Sequence, residues 1–521
     1  MDFTNLRSFS PFTWSIYPVI CGVFLCFLTL GLYFKHSSQA IEYWIFLGSI
    51  PSLLWNSDRV FEWATEVFSS LGTGRGSFYM DGPMLSRYKF LVTCHPDNLE
   101  YILKTNLENF PKGESFREIF ETLGVGIFNV DSDTWRLQRK LAHAGLRLGE
   151  FKALVAETSR KVVEEQLIPL LAHVAEEGFS IDLQDVFSRY AYDINMGMIF
   201  GRYENYLDMS FPSNEMAEAT DAGQRALVNR NIVPRFVWKL QRLLRIGNEG
   251  VMIKALKMVN EYYGEYILQK KADLLAGVQT DHLLSIYIKA LADSTSIFAS
   301  LAKKDNYLKD EMLNLFLAGR DTIKSALTYF FWLVSTTPFV EAKILEELKS
   351  SLITSRSTTN RWPWVFRSDD LKGLVYLHAA LCESLRLYPP LPLNRKSVVK
   401  KDVLPDGSVV TPGMEILLSI YSVGRMPWIW GESCFEFRPE RWIAENGKLI
   451  TDQTSRFLAF NIGARSCLGK DASFTQMKSV VAAVLFNFHI EVVEGHHVCP
   501  KQGTTLYMKN GLQVNIKKRT V

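Results

Sequence analysis

Apolar side chains recur at intervals near 3.6 residues over most of the chain. The clearest stretches are Trp135 to Leu146, Phe151 to Val174, Val251 to Leu275, Tyr307 to Thr337, Pro338 to Leu352, Leu374 to Tyr388 and Lys470 to Phe488. That period gathers the apolar positions on one side of a helix, so each stretch is predicted to be a helix packed on a core. Shorter runs at Phe78 to Cys94, Ser397 to Ile420 and Thr504 to Lys517 read as strands, the middle one broken by the turn formers Pro405-Asp406-Gly407 and Pro412-Gly413. The expected fold is mainly α with small β-sheets beside the helical body. Ala276 to Lys304 and Ser351 to Asp370 lack a clear period and are expected to be surface connections.

One segment has no polar side at all. Trp14 to Phe34 carries no charge over 21 residues, enough for a helix to cross a hydrocarbon layer of roughly 30 Å. Lys35 and His36 close it and no small-residue cleavage site follows, which predicts a retained N-terminal transmembrane helix over residues 1–36. Residues 37–50 then form a linker and residues 51–521 the globular domain. Asp2 and Arg7 precede the run and Lys35 follows it, so flanking charge says little about orientation.

Charge changes the picture only by exclusion. There are 58 Lys and Arg against 55 Asp and Glu, a net +3, which gives no reason to expect nucleic acid as a partner. Seven cysteines without CxxC spacing fit a reducing compartment rather than a disulfide framework.

One of those cysteines has an unusual setting. In Phe460-Asn-Ile-Gly-Ala-Arg-Ser-Cys-Leu-Gly-Lys470, Cys467 lies between Gly463 and Gly469, two residues after Arg465 and just ahead of the helical run from Lys470. Free N–H groups at a helix N-terminus and a nearby guanidinium favour a thiolate. The glycines let the backbone turn tightly or approach a flat partner. The pattern Phe460-x-x-Gly463-x-Arg465-x-Cys467-x-Gly469 resembles the haem-ligand signature of the cytochrome P450 family. The resemblance implies haem b with its iron held by Cys467, Arg465 beside a haem propionate, and the cytochrome P450 fold.

Three further segments resemble family motifs in the family's order. Trp135-x-x-x-Arg139 places an indole N–H and a guanidinium on one helical face, and the resemblance assigns both to the haem propionates. Ala318-Gly319-Arg320-Asp321-Thr322 is similar to the segment over the oxygen-binding side, which implies that Gly319 makes room there, that Thr322 lies beside dioxygen and that Asp321 relays protons from solvent. Glu383-x-x-Arg386, followed by Phe437-Arg-Pro-Glu-Arg441-Trp442, is similar to the family's Glu-Arg-Arg network, a structural set formed by Glu383, Arg386 and Arg441. Regions carried over for the substrate pocket include Phe316, Leu317, Leu393 and Thr504.

Wording around these motifs is similar to plant fatty-acid and alkane hydroxylases, and more narrowly to the group holding midchain alkane hydroxylases and an alkaloid phenol-coupling oxidase. The implied activity is hydroxylation of a long-chain alkane or fatty-acid-like substrate with O2 and electrons from NADPH through a flavoprotein reductase, docked near Lys140 and Lys470. Oxidation or oxidative coupling of a phenolic specialised metabolite is the alternative. A reductase-independent haem-thiolate isomerase or dehydratase fits the retained Asp321-Thr322 pair less well, and a non-enzymatic haem protein that senses or carries small molecules is a further class. The implied location is the endoplasmic reticulum membrane, single-pass, with the catalytic domain cytosolic. Lys324 departs from the small hydroxyl residues common after the threonine, and is expected to face away from the haem, about 200° from Thr322.

Overall fold

A computed structural model of the protein describes residues 36–38, 41–43 and 47–519, apart from 73, 83–88, 232, 279, 305, 355–361 and 451–454. The transmembrane helix expected over Trp14 to Phe34 lies outside the described residues. Among the described residues no helix is long and apolar enough to cross a membrane.

The helices that build the site are α1 (Gly113–Ile119), α2 (Ser132–Arg147), α3 (Leu183–Phe200), α4 (Glu215–Asn229), α5 (Arg235–Leu244), α6 (Gly247–Leu275), α7 (Tyr307–Ser335), α8 (Val375–Leu387) and α9 (Lys470–Asn487). Helix α7 is the axis: α3, α6, α8 and α9 all pack on it. Its Phe316, Leu327, Tyr329 and Phe330 are fully buried. Helix α3 has no counterpart among the periodic stretches because every residue from Tyr190 to Phe200 is buried. A helix surrounded on all sides shows no apolar period. Its ends are marked locally: Asp182 accepts the Gln184 N–H at 2.9 Å, and Gly201 closes the helix at φ +74°.

The connection expected over Ala276 to Lys304 is instead partly core. It contains the helix Leu283–Ala292, whose Leu283, Leu284, Ser285 and Tyr287 are buried. Leu283 lies 3.5 Å from where a Cβ on Gly145 of α2 would stand, so this short helix packs closely there. Only 10 residues long and flanked by polar sequence, it is too short to display a period.

A mixed four-stranded sheet is built from β1 (Ser77–Asp81), β2 (Lys89–Thr93), β3 (Leu393–Ser397) and β4 (Glu415–Ser419), in the order β1-β2-β4-β3. Strand β2 runs parallel to β4, with Phe90 opposite Glu415, while β3 is antiparallel to β4 and sets Lys396 opposite Ile416. A hairpin of β5 (Pro500–Gln502) and β6 (Leu506–Met508) is fastened to α7, where Ser325 Oγ donates to the Leu506 carbonyl at 2.6 Å. Strands Phe488–Val492, Gln513–Lys518 and Ile181–Asp182 form a separate three-stranded sheet.

Candidate active site

Cys467 stands in the turn that leads into α9. Gly463 adopts φ +69°, and a Cβ there would lie 2.4 Å from the Leu103 carbonyl oxygen, so glycine is required. The Cys467 N–H donates to the Phe460 carbonyl at 2.7 Å and the Ser466 N–H to Gly463 at 3.1 Å. These bonds fold the turn back on itself and leave the cysteine exposed. Desolvation by the protein packed around the sulfur is the largest influence on the thiol and raises its pKa; the Gly469 N–H, Arg139 and Lys470 oppose it without prevailing. The helix N-terminus alone therefore does not make the thiolate expected from the sequence. A bound metal cation would do so.

Beside the cysteine lies a concentration of positive charge. Arg465 donates to Asp131 Oδ1 at 2.7 Å and to the Val130 carbonyl at 3.0 Å, and its guanidinium stacks 4.3 Å from the Trp135 ring centre. Arg139 donates to the Ser466 carbonyl at 2.5 Å, bridging α2 to the cysteine turn. Asp131 also accepts the backbone N–H groups of Lys112 and Gly113 and the Arg117 side chain, each at 3.1 Å. Two cations in this cluster were not singled out from the sequence. Lys112 has its pKa lowered to about 8 by burial and by Arg465, against the pull of Asp131. Lys396 is 0 % exposed, its ammonium has no hydrogen-bond partner, and burial, Lys112 and Arg465 together push it well below the ordinary lysine range. The available signal was its place in β3, where Lys396 is the one buried position.

A buried, partnerless ammonium is costly unless an anion joins it. With Arg465, Lys112 and Lys396 set against the single carboxylate of Asp131, the cluster fits a ligand that brings its own carboxylates to the cysteine. A haem with two propionates has that chemistry.

On α7, Thr322 Oγ1 donates to the Ala318 carbonyl one turn earlier at 2.7 Å. Asp321 is 4 % exposed. Its Oδ2 accepts the Gln224 side-chain amide of α4 at 2.7 Å, and its Oδ1 lies 3.5 Å from Lys324 and 3.8 Å from Arg320. Lys324 thus turns toward the acid. Gly319 does not open space as expected: a Cβ there would meet Asn195 Oδ1 of α3 at 2.0 Å, so the glycine admits a neighbouring helix. Phe316, expected in the substrate pocket, is fully buried against Tyr192 and Tyr263, with ring centres 5.4 and 6.0 Å away. Leu317, Leu393 and Thr504 are half-buried, and Thr504 donates to Gln224 Oε1.

Glu383, Arg386 and Arg441 do come together. Arg386 donates twice to Glu383 at 2.8 Å, Arg441 Nε donates at 3.1 Å, and Trp442 Nε1 adds a fourth bond at 2.9 Å. Arg386 also donates to the carbonyls of Gly424, Cys434 and Glu436, which ties α8 to the segment leading toward the cysteine.

Fold and site define a haem-thiolate protein. The chain belongs to the cytochrome P450 family, whose model matches residues 78–517, and it is an oxygen-incorporating oxidoreductase. It is 37 % identical over 483 residues to alkane hydroxylase MAH1 of Arabidopsis thaliana, covering 92 % of this chain and 93 % of that protein. It is 36 % identical to noroxomaritidine synthase of Narcissus aff. pseudonarcissus MK-2014, covering 97 % of both chains. Cytochrome P450 86B1 of Arabidopsis thaliana is 36 % identical over 97 % of this chain and 90 % of its own. In fold, the crystal structure of a cytochrome P450, CYP102L1, matches with a TM-score of 0.72 over 93 % of this chain and 98 % of that one, at 19 % identity. The family carries haem ligated by a cysteine thiolate.

Proposed function

We propose that this cytochrome P450 hydroxylates a long aliphatic chain, alkane or fatty-acid-like, with electrons from NADPH through a flavoprotein reductase. The observation that carries the reading is the exposed Cys467 beside the Arg465, Lys112 and Lys396 cations, together with the likeness to alkane hydroxylase MAH1. Haem, when bound, supplies the centre at which dioxygen is reduced and one oxygen atom passes to a C–H bond.

The chain's own residues have separate tasks. Cys467 would hold the metal as thiolate. Arg465, Arg139, Lys112 and Lys396 would offset the charge of the propionates, and the Trp135 indole N–H could donate a hydrogen bond to one of them. Thr322 and Asp321 deliver the two protons that the balance R–H + O2 + 2 e⁻ + 2 H⁺ → R–OH + H2O requires. Exposed Lys140 and Lys470 on the cysteine side offer a basic face to an acidic reductase.

We place the enzyme at the endoplasmic reticulum membrane, held by one span with its catalytic domain in the cytosol. Helix α5 supports contact with lipid. Its Arg235 and Lys239 pair with Glu118 at 2.6 Å and its Arg242 with Glu121 along one side, while Phe236 and Leu243 stand in solvent, 74 % and 79 % exposed.

The likeness to noroxomaritidine synthase over nearly the whole chain keeps a second reading, oxidative coupling of a phenolic substrate. In that reaction two O–H hydrogens are removed and no oxygen enters the product. The full chain with a flavoprotein reductase, NADPH and, separately, hexadecane, palmitate and a phenolic amine decides between them. Product one oxygen heavier from the aliphatic probes supports hydroxylation, and product two hydrogens lighter from the amine supports coupling. NADPH oxidation with no product from any probe would overturn both.

A further inference from the structure

Asp321 is held by more than its own helix. The charges facing it are Arg320 and Lys324 on α7; Arg320 is in turn engaged by Asp221 on α4 at 2.7 Å, which Arg225 of α4 also faces, and donates to the Ser188 hydroxyl of α3 at 3.4 Å. The closest partner of all is neutral: Gln224 Nε2 donates to Asp321 Oδ2 at 2.7 Å. The other end of that carboxamide accepts the hydroxyl of Thr504, in the loop between β5 and β6. Three elements therefore meet through one side chain, α7 by its acid, α4 by Gln224 and the hairpin by Thr504.

The two anchors differ in setting. Asp321 sits on a helix packed on all sides, and the hairpin is fastened behind its loop, where Ser325 and Tyr329 bond the Leu506 and Tyr507 carbonyls at 2.6 and 3.1 Å. Thr504, two residues before that fastening, is half-buried in the loop that joins the two strands. Since an amide that donates at one end and accepts at the other is oriented by both partners, movement of Thr504 turns Gln224 and so the Asp321 carboxylate.

We propose that Gln224 is a positioning residue that links Thr504 of the hairpin loop to Asp321, so that a substrate touching residues 503–505 sets the orientation of the proton-delivering carboxylate. The inference rests on the monooxygenase reading and deepens it: a substrate that presses on the hairpin aligns the proton donor, and without one the donor is misaligned. Misaligned, the same two electrons and two protons convert O2 to hydrogen peroxide instead of water and alcohol.

The test uses the full chain with a flavoprotein reductase, measuring NADPH oxidation, alcohol and hydrogen peroxide in H2O and D2O with and without hexadecane. Gln224→Leu and Thr504→Val each lower the rate of alcohol formation about 10-fold, with peroxide taking up the NADPH no longer coupled to product, and raise the solvent isotope effect on alcohol formation toward that of Asp321→Asn, because proton delivery becomes limiting. The double variant is no slower than either single one. Gln224→Glu, equal in size, sets a second carboxylate against Asp321; its rate falls as pH rises while the unaltered chain's does not, a dependence that loss of packing would not produce. The reduced carbon monoxide difference spectrum checks that each variant still holds haem on its thiolate. Unchanged rates and isotope effects in Gln224→Leu, or additive losses in the double variant, overturn the link alone. An unaltered chain with no thiolate band, or no reductase-dependent NADPH oxidation, overturns the monooxygenase reading with it.

Discussion

Arg386 donates two hydrogen bonds of 2.8 Å to Glu383, one helical turn earlier on α8, with neither side chain exposed to solvent. A pair at that spacing on a surface contributes about 0.5 kcal/mol. Here both charges are desolvated and their remaining valences are filled by Arg441, Trp442 and three carbonyls. Removing one partner strands the other, a loss of about 3–5 kcal/mol. Glu383→Ala is expected to give little folded, haem-loaded protein. Arg386→Lys, which keeps the charge but cannot make a forked pair, is expected to fall between it and the unaltered chain. Yield of the carbon monoxide band and the thermal midpoint measure both; equal yields for the two variants would contradict the assignment.

The orphan ammonium of Lys396 makes opposite predictions for the haem-free and haem-loaded chain. Lys396→Met removes a buried cation that, without haem, is repelled by Lys112 and Arg465. The haem-free chain should melt higher. A lysine pKa depressed on folding costs stability below the unfolded value near 10.5, so the gain should persist through neutral pH and vanish at strongly alkaline pH. Haem, having lost a propionate partner, should dissociate faster, as measured by transfer to an apo-globin acceptor. A variant that lost stability in both forms would show that Lys396 has another partner.

These two cases show what could be foreseen from sequence. The turn carrying Cys467 and the helices α7 and α9 were legible because motif and period lie within one continuous stretch. The cation cluster was not, because Lys112, Asp131, Lys396 and Arg465 come from separate parts of the chain and only folding sums their charges. Phe316 went astray for a geometric reason. Six residues before Thr322 is about 240° around the helix, which turns the ring to Tyr192 and Tyr263 and away from the threonine's side. Gly319 likewise holds a space that its own motif cannot reveal, since Asn195 of α3 fills it.

Glu311 on α7 sets a pH dependence of stability. It accepts the Ile127 N–H at 2.9 Å and the Tyr287 hydroxyl at 3.3 Å, and burial raises its pKa from 4.5 to about 7. The folded chain therefore holds this proton more tightly than the unfolded one. Stability from this group rises as pH falls from about 7 to 4.5, and above pH 7 its buried charge costs on the order of 3 kcal/mol. Glu311→Gln keeps an acceptor for Ile127 and offers a donor to Tyr287. Its thermal midpoint should exceed that of the unaltered chain at pH 8 and match it near pH 5. An equal difference at both pH values would show that the carboxyl does not titrate in this range.

Helix α5 is amphipathic, with its cations ion-paired along one side and apolar side chains exposed on another, and that exposure predicts where it meets lipid. Apolar side chains such as Phe236, Leu240, Leu243 and Leu244 stand outward, while Glu118 and Glu121 hold the cationic side against α1 and the turn after it. Large apolar side chains gathered on one exposed side mark a surface that meets something other than water. In phospholipid vesicles the amides of residues 236–244 should exchange hydrogen more slowly than in detergent, because a helix seated at the interface opens less often. Phe236→Asp combined with Leu243→Asp removes the apolar contact but leaves the ion pairs to Glu118 and Glu121, so the helix stays folded and the slowing disappears. Were the slowing to survive that double variant, the outward apolar side would not be what the lipid touches, and the ion-paired side would have to release Glu118 to reach the membrane instead.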